Sequence, residues 1–464
     1  MQKCPFEIHA YIFELACTDG GAAGIALSAV SRYVRAMSAP YQWHTLAVAG
    51  TTQTVRLAER IRSLSSSATQ PQQPSVDPVE CKGKGKDKAK GKVSGPAITH
   101  LFVSNRTAPR ARELRYLEMG ATRDMAERRR IEAVFNAEAD AWARAVRVLF
   151  AYAAPTLRTL AMMCYDIHVS PNGRLFFSDL KRYRFPRLEE LSIRGGFDAR
   201  LRDYDGAAGV GTTRLRDTTD GEGEGEGRAR GESATMMMKH TGGEDDEPTL
   251  PALRRLHLAS PISFDLFLQR LRPLAPGLTH VRLSELLAFD YDMARALHSE
   301  LAERGTVPSR FPSLRDRQWS AEPRAVSVDW ERFLPPPDAL RRLVVQPAQL
   351  PPAPEQLCGC CSGYYRVDDM TRLLREMARE ARCSATAAGG EDSVYVFLPP
   401  GPRHNAYGFE EGYADWLGRA AGERGCWKEQ HEVDIDAQPR SPVGEDRLRL
   451  WDIGVKRSIS RTWS

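Results

Sequence analysis

Phe185-Pro-Arg-Leu-Glu-Glu-Leu-Ser-Ile193 and Leu250-Pro-Ala-Leu-Arg-Arg-Leu-His-Leu258 are two copies of one pattern. A proline is followed by Leu-x-x-Leu-x-Leu, and the last two apolar places fall two residues apart, on one side of a short strand. Working outward, the same template recurs at Ile98-Leu101-Val103, Leu157-Leu160-Met162, Leu278-Val281-Leu283 and Leu340-Leu343-Val345. Helical periodicity over residues 131–153, 263–274 and 290–304 fills gaps between the copies. Strand and helix in alternation predict an α/β chain in which short parallel strands are backed by outer helices. The residue after the first apolar place is polar in every copy, and in the last five it is Arg158, Glu189, Arg254, Thr279 and Arg341. These are the candidate contacts for a protein substrate, on geometry alone.

The opening of the chain has a different pattern. In Cys4-Pro-Phe-Glu-Ile-His-Ala-Tyr-Ile-Phe-Glu-Leu-Ala-Cys17, Pro5 presets the backbone of a first helical turn and Glu7 suits the positive end of the helix dipole. Ile8, Ile12, Leu15 and Ala16 share one helical face, widened by Phe6 and Phe13. A second apolar run carries Ile25, Leu27, Val30, Val34 and Met37, and the segment closes on Trp43 and Leu46. Some fifty residues cannot bury that much apolar surface alone, so a partner or the rest of the chain is expected to cover part of it.

The order Pro5, Ile8, Ile12-Phe13, Leu27, Val30-Ser31-Arg32, Trp43, Leu46 resembles an F-box, and more closely the F-box-like openings of many basidiomycete fungal proteins. Cys4 stands where that family usually has leucine, and its tryptophan in the second helix is missing. The repeated template resembles the strand signature of a leucine-rich repeat, in an irregular form because the copies are unevenly spaced. The resemblance implies a three-helix module over residues 1–49 that docks on the Skp-type adaptor of a cullin-RING ubiquitin ligase. Pro5, Ile8, Ile12 and Phe13 would make the contact, and Leu27 and Val30 would support the packing. It also implies a repeat solenoid over 97–350 that presents an as yet unknown protein substrate. The chain would then be a non-catalytic receptor, or alternatively an interaction scaffold that keeps the fold without the ligase connection.

Composition bounds the rest. The chain has 464 residues, a formal net charge of +5 and 42% hydrophobic residues, values that do not point to a nucleic-acid partner. Of its eleven lysines, six lie between Lys82 and Lys92. Residues 65–96, rich in Ser, Gln, Pro, Gly and Lys, are expected to be a disordered linker, and so is the acidic, glycine-rich insertion 202–248. Residues 351–437 read as a C-terminal α/β unit capping the repeats, and 438–464 as a tail. No charged region followed by a continuous apolar core opens the chain, and no run is long enough to span a bilayer, so a cytoplasmic or nuclear location with reduced cysteines is expected.

Chemistry-bearing patterns are sparse. Cys358, Cys360 and Cys361 cluster, but Cys-x-Cys-Cys is poor geometry for three zinc ligands and no second pair completes a tetrahedral set. The histidines show no His-Glu-x-x-His spacing, and neither a Gly-x-Ser-x-Gly elbow nor a phosphate loop is present. The expectation is therefore no catalytic residue, no metal and no cofactor.

Overall fold

The structure is a computed structural model. It describes residues 5–69, 97–107, 124–165, 182–195, 248–259, 264–286, 291–308, 339–348, 362–387, 394–398 and 407–427, with 175–176, 180, 197–198 and 334–335 besides. Most of the lysine-rich stretch, the acidic insertion up to Glu247, the Cys358 cluster and the tail lie outside the described residues.

The frame is an eight-stranded, all-parallel sheet built from β1 (Thr45–Ala49), β2 (His100–Ser104), β3 (Thr159–Met163), β5 (Glu190–Arg194), β7 (Arg255–Ala259), β8 (His280–Leu286), β9 (Arg342–Pro347) and β10 (Tyr395–Phe397). Their order in the sheet is their order in the chain. Two short strands, β4 (Leu175–Phe176) and β6 (Phe197–Asp198), pair separately. All six copies of the template are strands, and the register is constant along them up to a shift near the end of β8. Leu46, Leu101, Leu160, Leu191, Leu256, Val281 and Leu343 stand side by side across seven strands, with Tyr395 in the same row on β10. From Leu101 to Tyr395 this row is essentially solvent-free.

Helices cover the side to which that row points. They are α4 (Thr51–Thr69), α5 (Met125–Ala153), α6 (Phe264–Leu271), α7 (Tyr291–Glu303) and α8 (Ser362–Ala387). In α5 the buried residues Trp142, Val146, Leu149, Phe150 and Ala153 recur at spacings of three and four, forming one stripe toward the core. Its start is capped by Asp124, whose carboxylate accepts from the Ala126 N–H at 2.8 Å. At the far end the Tyr395 hydroxyl donates to the Leu374 carbonyl of α8 at 3.2 Å, fixing that row toward the helices.

Ahead of the sheet stand α1 (Phe6–Ala16), α2 (Ala22–Val30) and α3 (Arg32–Ser38). Asp19 accepts from the Ala23 N–H at 2.7 Å and Ser31 from the Val34 N–H at 3.1 Å, so each of the short helices α2 and α3 starts on a side-chain acceptor. The Ala47 N–H of β1 donates to the Gly20 carbonyl at 3.2 Å, tying these helices to the sheet edge. Two residues read with the helical opening belong elsewhere. Leu46 lies in β1, and Trp43 packs on the outer helices, 6.2 Å from Tyr152 and beneath Arg60. The helix α4, which absorbs residues 65–69 of the expected linker, follows directly.

Within the expected C-terminal unit, α8 and β10 follow β9. There β10 adds one more parallel strand, and α9 (Phe409–Ala420) with a 3-10 turn (Gly425–Trp427) crosses the opposite face of the sheet from the other helices.

Candidate functional site

The face under α9 is built from the alternate positions of the strands. Its centre is Phe102, fully buried, with the rings of Tyr413, Phe409 and Trp416 at 5.3, 5.4 and 5.6 Å. Ala161, Met163 and Ala259 from the neighbouring strands complete the apolar floor, and Tyr407 joins them from above. Further along, Cys426 and Trp427 pack on Val344 and Leu398.

Beside this floor lies a set of buried charges. Glu190, Arg194, His257, Arg282 and Glu285 are each 7% exposed or less. Glu190 is held by Arg419 of α9 at 2.7 Å and by Arg255 at 3.8 Å. Arg282 donates to the Cys426 carbonyl, to Gln346 at 3.2 Å and to Ser284 at 3.2 Å. His257 meets the Ser284 hydroxyl at 2.9 Å and lies edge-on to Tyr407, ring centres 4.2 Å apart.

Glu285 is the strained member. It is an extra residue in β8 at the register shift between Ser284 and Leu286, with φ of 60°, where a side chain normally costs energy. Its carboxylate accepts from the Tyr407 N–H at 3.0 Å and lies 3.4 Å from the Arg194 guanidinium. The bulge thus turns a side chain that would otherwise follow the strand onto the first residue of the covering segment.

Burial dominates the electrostatics. It raises the carboxyl groups of Glu190 and Glu285 above the ordinary range, opposed by Arg419 and Arg255 at the first and by Arg194 at the second. Burial pushes His257 well below its ordinary value, and Arg282 adds to this. His100 falls to about 3, chiefly through burial and then through His44, Arg158 and Arg419. His280 falls to about 4, chiefly through burial and then through Arg255, Arg342 and Arg341. The site is therefore a set of neutral imidazoles and paired charges. Among the described residues, no three His, Cys, Asp or Glu side chains come together to hold a metal ion.

The expected substrate contacts occupy another place. Backbone N–H groups of Arg158, Glu189, Arg254, Thr279 and Arg341 each reach the carbonyl of the preceding strand's equivalent, at 2.7–3.0 Å. They form one row along the starting ends of the strands, in which all but the half-buried Thr279 are exposed. The structure brings these five together, outside the face that α9 occupies.

On the opening helices Ile8, Ile12 and Leu15 of α1 are 48%, 49% and 54% exposed and share one face. Tyr11 on α1, Ile25 and Val30 on α2 and Tyr33 on α3 are exposed as well. Pro5 is exposed at the start of α1, and Leu27 is half-buried. Phe13 departs from its expected role as an adaptor contact. It is 4% exposed and stacks near His9, so it acts as packing inside the three-helix group.

The buried charges and the covering segment were not among the sequence candidates. A usable signal was present in Phe409, Tyr413 and Trp416, an aromatic stripe at helical spacing that has to meet an apolar surface. No helix among the described residues is long and apolar enough to cross a membrane. No protein-family model, curated protein or solved structure matches the chain.

Proposed function

We propose that the chain is a non-catalytic receptor that carries a protein substrate on its repeat region to the Skp-type adaptor of a cullin-RING ubiquitin ligase. In this reading α1–α3 form an F-box-like module and the strand ladder is a set of degenerate leucine-rich repeats. The observation that carries it is the face of α1. Ile8, Ile12 and Leu15 lie at successive turns of one helix and stand about half exposed, an arrangement that water disfavours and a partner surface relieves. Val30 and Ile25 extend the apolar surface onto α2. Substrate would lie along the exposed row of Arg158, Glu189, Arg254, Thr279 and Arg341, and the ligase chemistry would be left to other subunits.

The test is capture of the adaptor by the intact chain and by Ile12→Asp. A half-exposed isoleucine contributes little to packing, so Ile12→Asp should keep stability within about 0.5 kcal/mol while abolishing capture. Phe13→Ala is the contrasting variant, costing about 3 kcal/mol because the ring is buried, and its loss of capture would follow from unfolding of the module. If the folded wild-type chain captures no adaptor, the ligase reading fails and an interaction scaffold takes its place.

A further inference from the structure

The two faces of the sheet differ in chemistry. Toward the outer helices every strand presents Leu, Val, Ile, Met or aromatic side chains, a permanent core. Toward α9 the sheet presents Glu190, Arg194, His257, Arg282 and Glu285 among its apolar residues. Buried ion pairs are seldom more stabilising than apolar side chains of the same volume, but they do select one partner in one register. Here they grip a peptide at three points. Glu285 takes the first N–H of the segment at Tyr407, Glu190 takes Arg419 in its middle, and Arg282 takes the Cys426 carbonyl near its end.

Between these anchors α9 offers a single face. Phe409, Tyr413, Trp416 and Leu417 meet the floor, while Glu410, Glu411 and Ala414 are exposed, with no further layer above them among the described residues. Gly412 allows the close approach, because a Cβ there would run into the end of the Met163 side chain. Residues 399–406 lie outside the described set, and the segment meets the sheet through the side chains of Glu285, Glu190 and Arg282 and through the apolar floor.

We propose that this face is a helix-binding groove whose resident is the chain's own Tyr407–Trp427, and that a partner helix of the same chemistry displaces it. That chemistry is an amphipathic helix with aromatic residues at successive turns, a glycine or other small residue between the first two, and an arginine one turn beyond the last for Glu190. The groove lies on the repeat region that the proposed function reads as substrate-bearing, on a different face from the row of Arg158 to Arg341, and it requires nothing of the adaptor. A tethered resident competes at an effective concentration on the order of millimolar, so the intact chain binds such a partner weakly until the resident is loosened.

The probe is a fluorescein-labelled synthetic peptide of residues 405–428, and binding is read by anisotropy against the full chain. Trp416→Glu with Arg419→Glu, placed in the chain and not in the probe, should raise affinity at least tenfold over wild type. Adding Glu190→Arg to that chain should abolish the gain, and a probe carrying Arg419→Glu should restore it. A loosened chain that keeps its circular dichroism and elution volume but binds no probe would overturn the proposal. If that variant does not fold, a protease site inserted between Gly401 and Pro402 of the wild-type chain serves instead. Cut after folding, it should exchange the freed fragment for the probe, and a cut chain that never exchanges makes the segment a fixed part of the fold. No adaptor enters either measurement, so its outcome is independent of adaptor capture.

Discussion

Replacing Glu285 by glycine sets two effects against each other at one residue. The backbone there has φ of 60°, and glycine adopts that conformation with no side-chain penalty, so relief of strain returns about 1 kcal/mol. Against this, the carboxylate pairs with Arg194 at 3.4 Å, their side chains only 5% and 8% exposed, and accepts from the Tyr407 N–H at 3.0 Å. Removing one member of a buried pair costs about 3–5 kcal/mol. The Arg194 guanidinium keeps the face of Tyr165 at 4.5 Å, which lowers the loss to about 3 kcal/mol by the attraction of a cation to a ring. The charge outweighs the strain, and Glu285→Gly should destabilise by about 2 kcal/mol on these two magnitudes. Urea unfolding followed by circular dichroism measures it. The double variant Glu285→Gly with Arg194→Met removes both charges and should recover at least about 1 kcal/mol of the loss. A single variant as stable as wild type, or more stable, would mean that the carboxylate has no part in holding Tyr407 and that strain is the larger effect.

Two further outcomes follow from other parts of the sheet. His257 is held neutral well below its ordinary value, so its contribution is intact above about pH 6.5 and is lost as pH falls, by up to about 1.4 kcal/mol per pH unit. Glu190 and Glu285, pushed up by burial, change in the opposite sense below neutrality, so the comparison that isolates the histidine is with His257→Phe, whose stability should fall less steeply between pH 6.5 and 5. An unchanged slope in urea titrations at several pH values would place the titrating group elsewhere. Gly195 has φ of 61° and a Cβ there would press on the Cys164 carbonyl, so Gly195→Ala should cost about 2–4 kcal/mol, and a melting temperature equal to wild type would refute the close approach.

The strands were legible where each carried its own apolar signal. Leu101, Leu160, Leu191, Leu256, Val281 and Leu343 face a core that neighbouring helices supply, and the spacing in the chain is enough to reveal it. β1 was missed because Thr45-Leu-Ala-Val-Ala49 follows directly on an apolar helical opening and has Trp43 in the place of the template's first Leu, with half-buried Leu46 at the sheet edge. The buried charges were not legible, for a physical reason. Glu190 reads as an exposed strand residue until Arg419 covers it, and Glu285 reads as one until Tyr407 does, contacts between residues far apart in the chain. On α1 the helical period placed Phe13 beside Ile12 on a wide apolar face, but a rotation of about 100° per residue puts one inside and the other out.

An array in which each strand touches only its neighbours can unravel from either end, one repeat at a time. The return of α9 from beyond β10 to β2 and β3 changes that, because it bolts late strands to early ones across the middle of the sheet. Its contacts with Phe102 and the neighbouring strands join residues far apart in the chain, so they should form late in folding, after the strands they join. While the segment is seated, the array should melt in one cooperative step; once it lifts, the outer repeats are free to fray separately. Occupancy of one face then sets the cooperativity of the whole sheet.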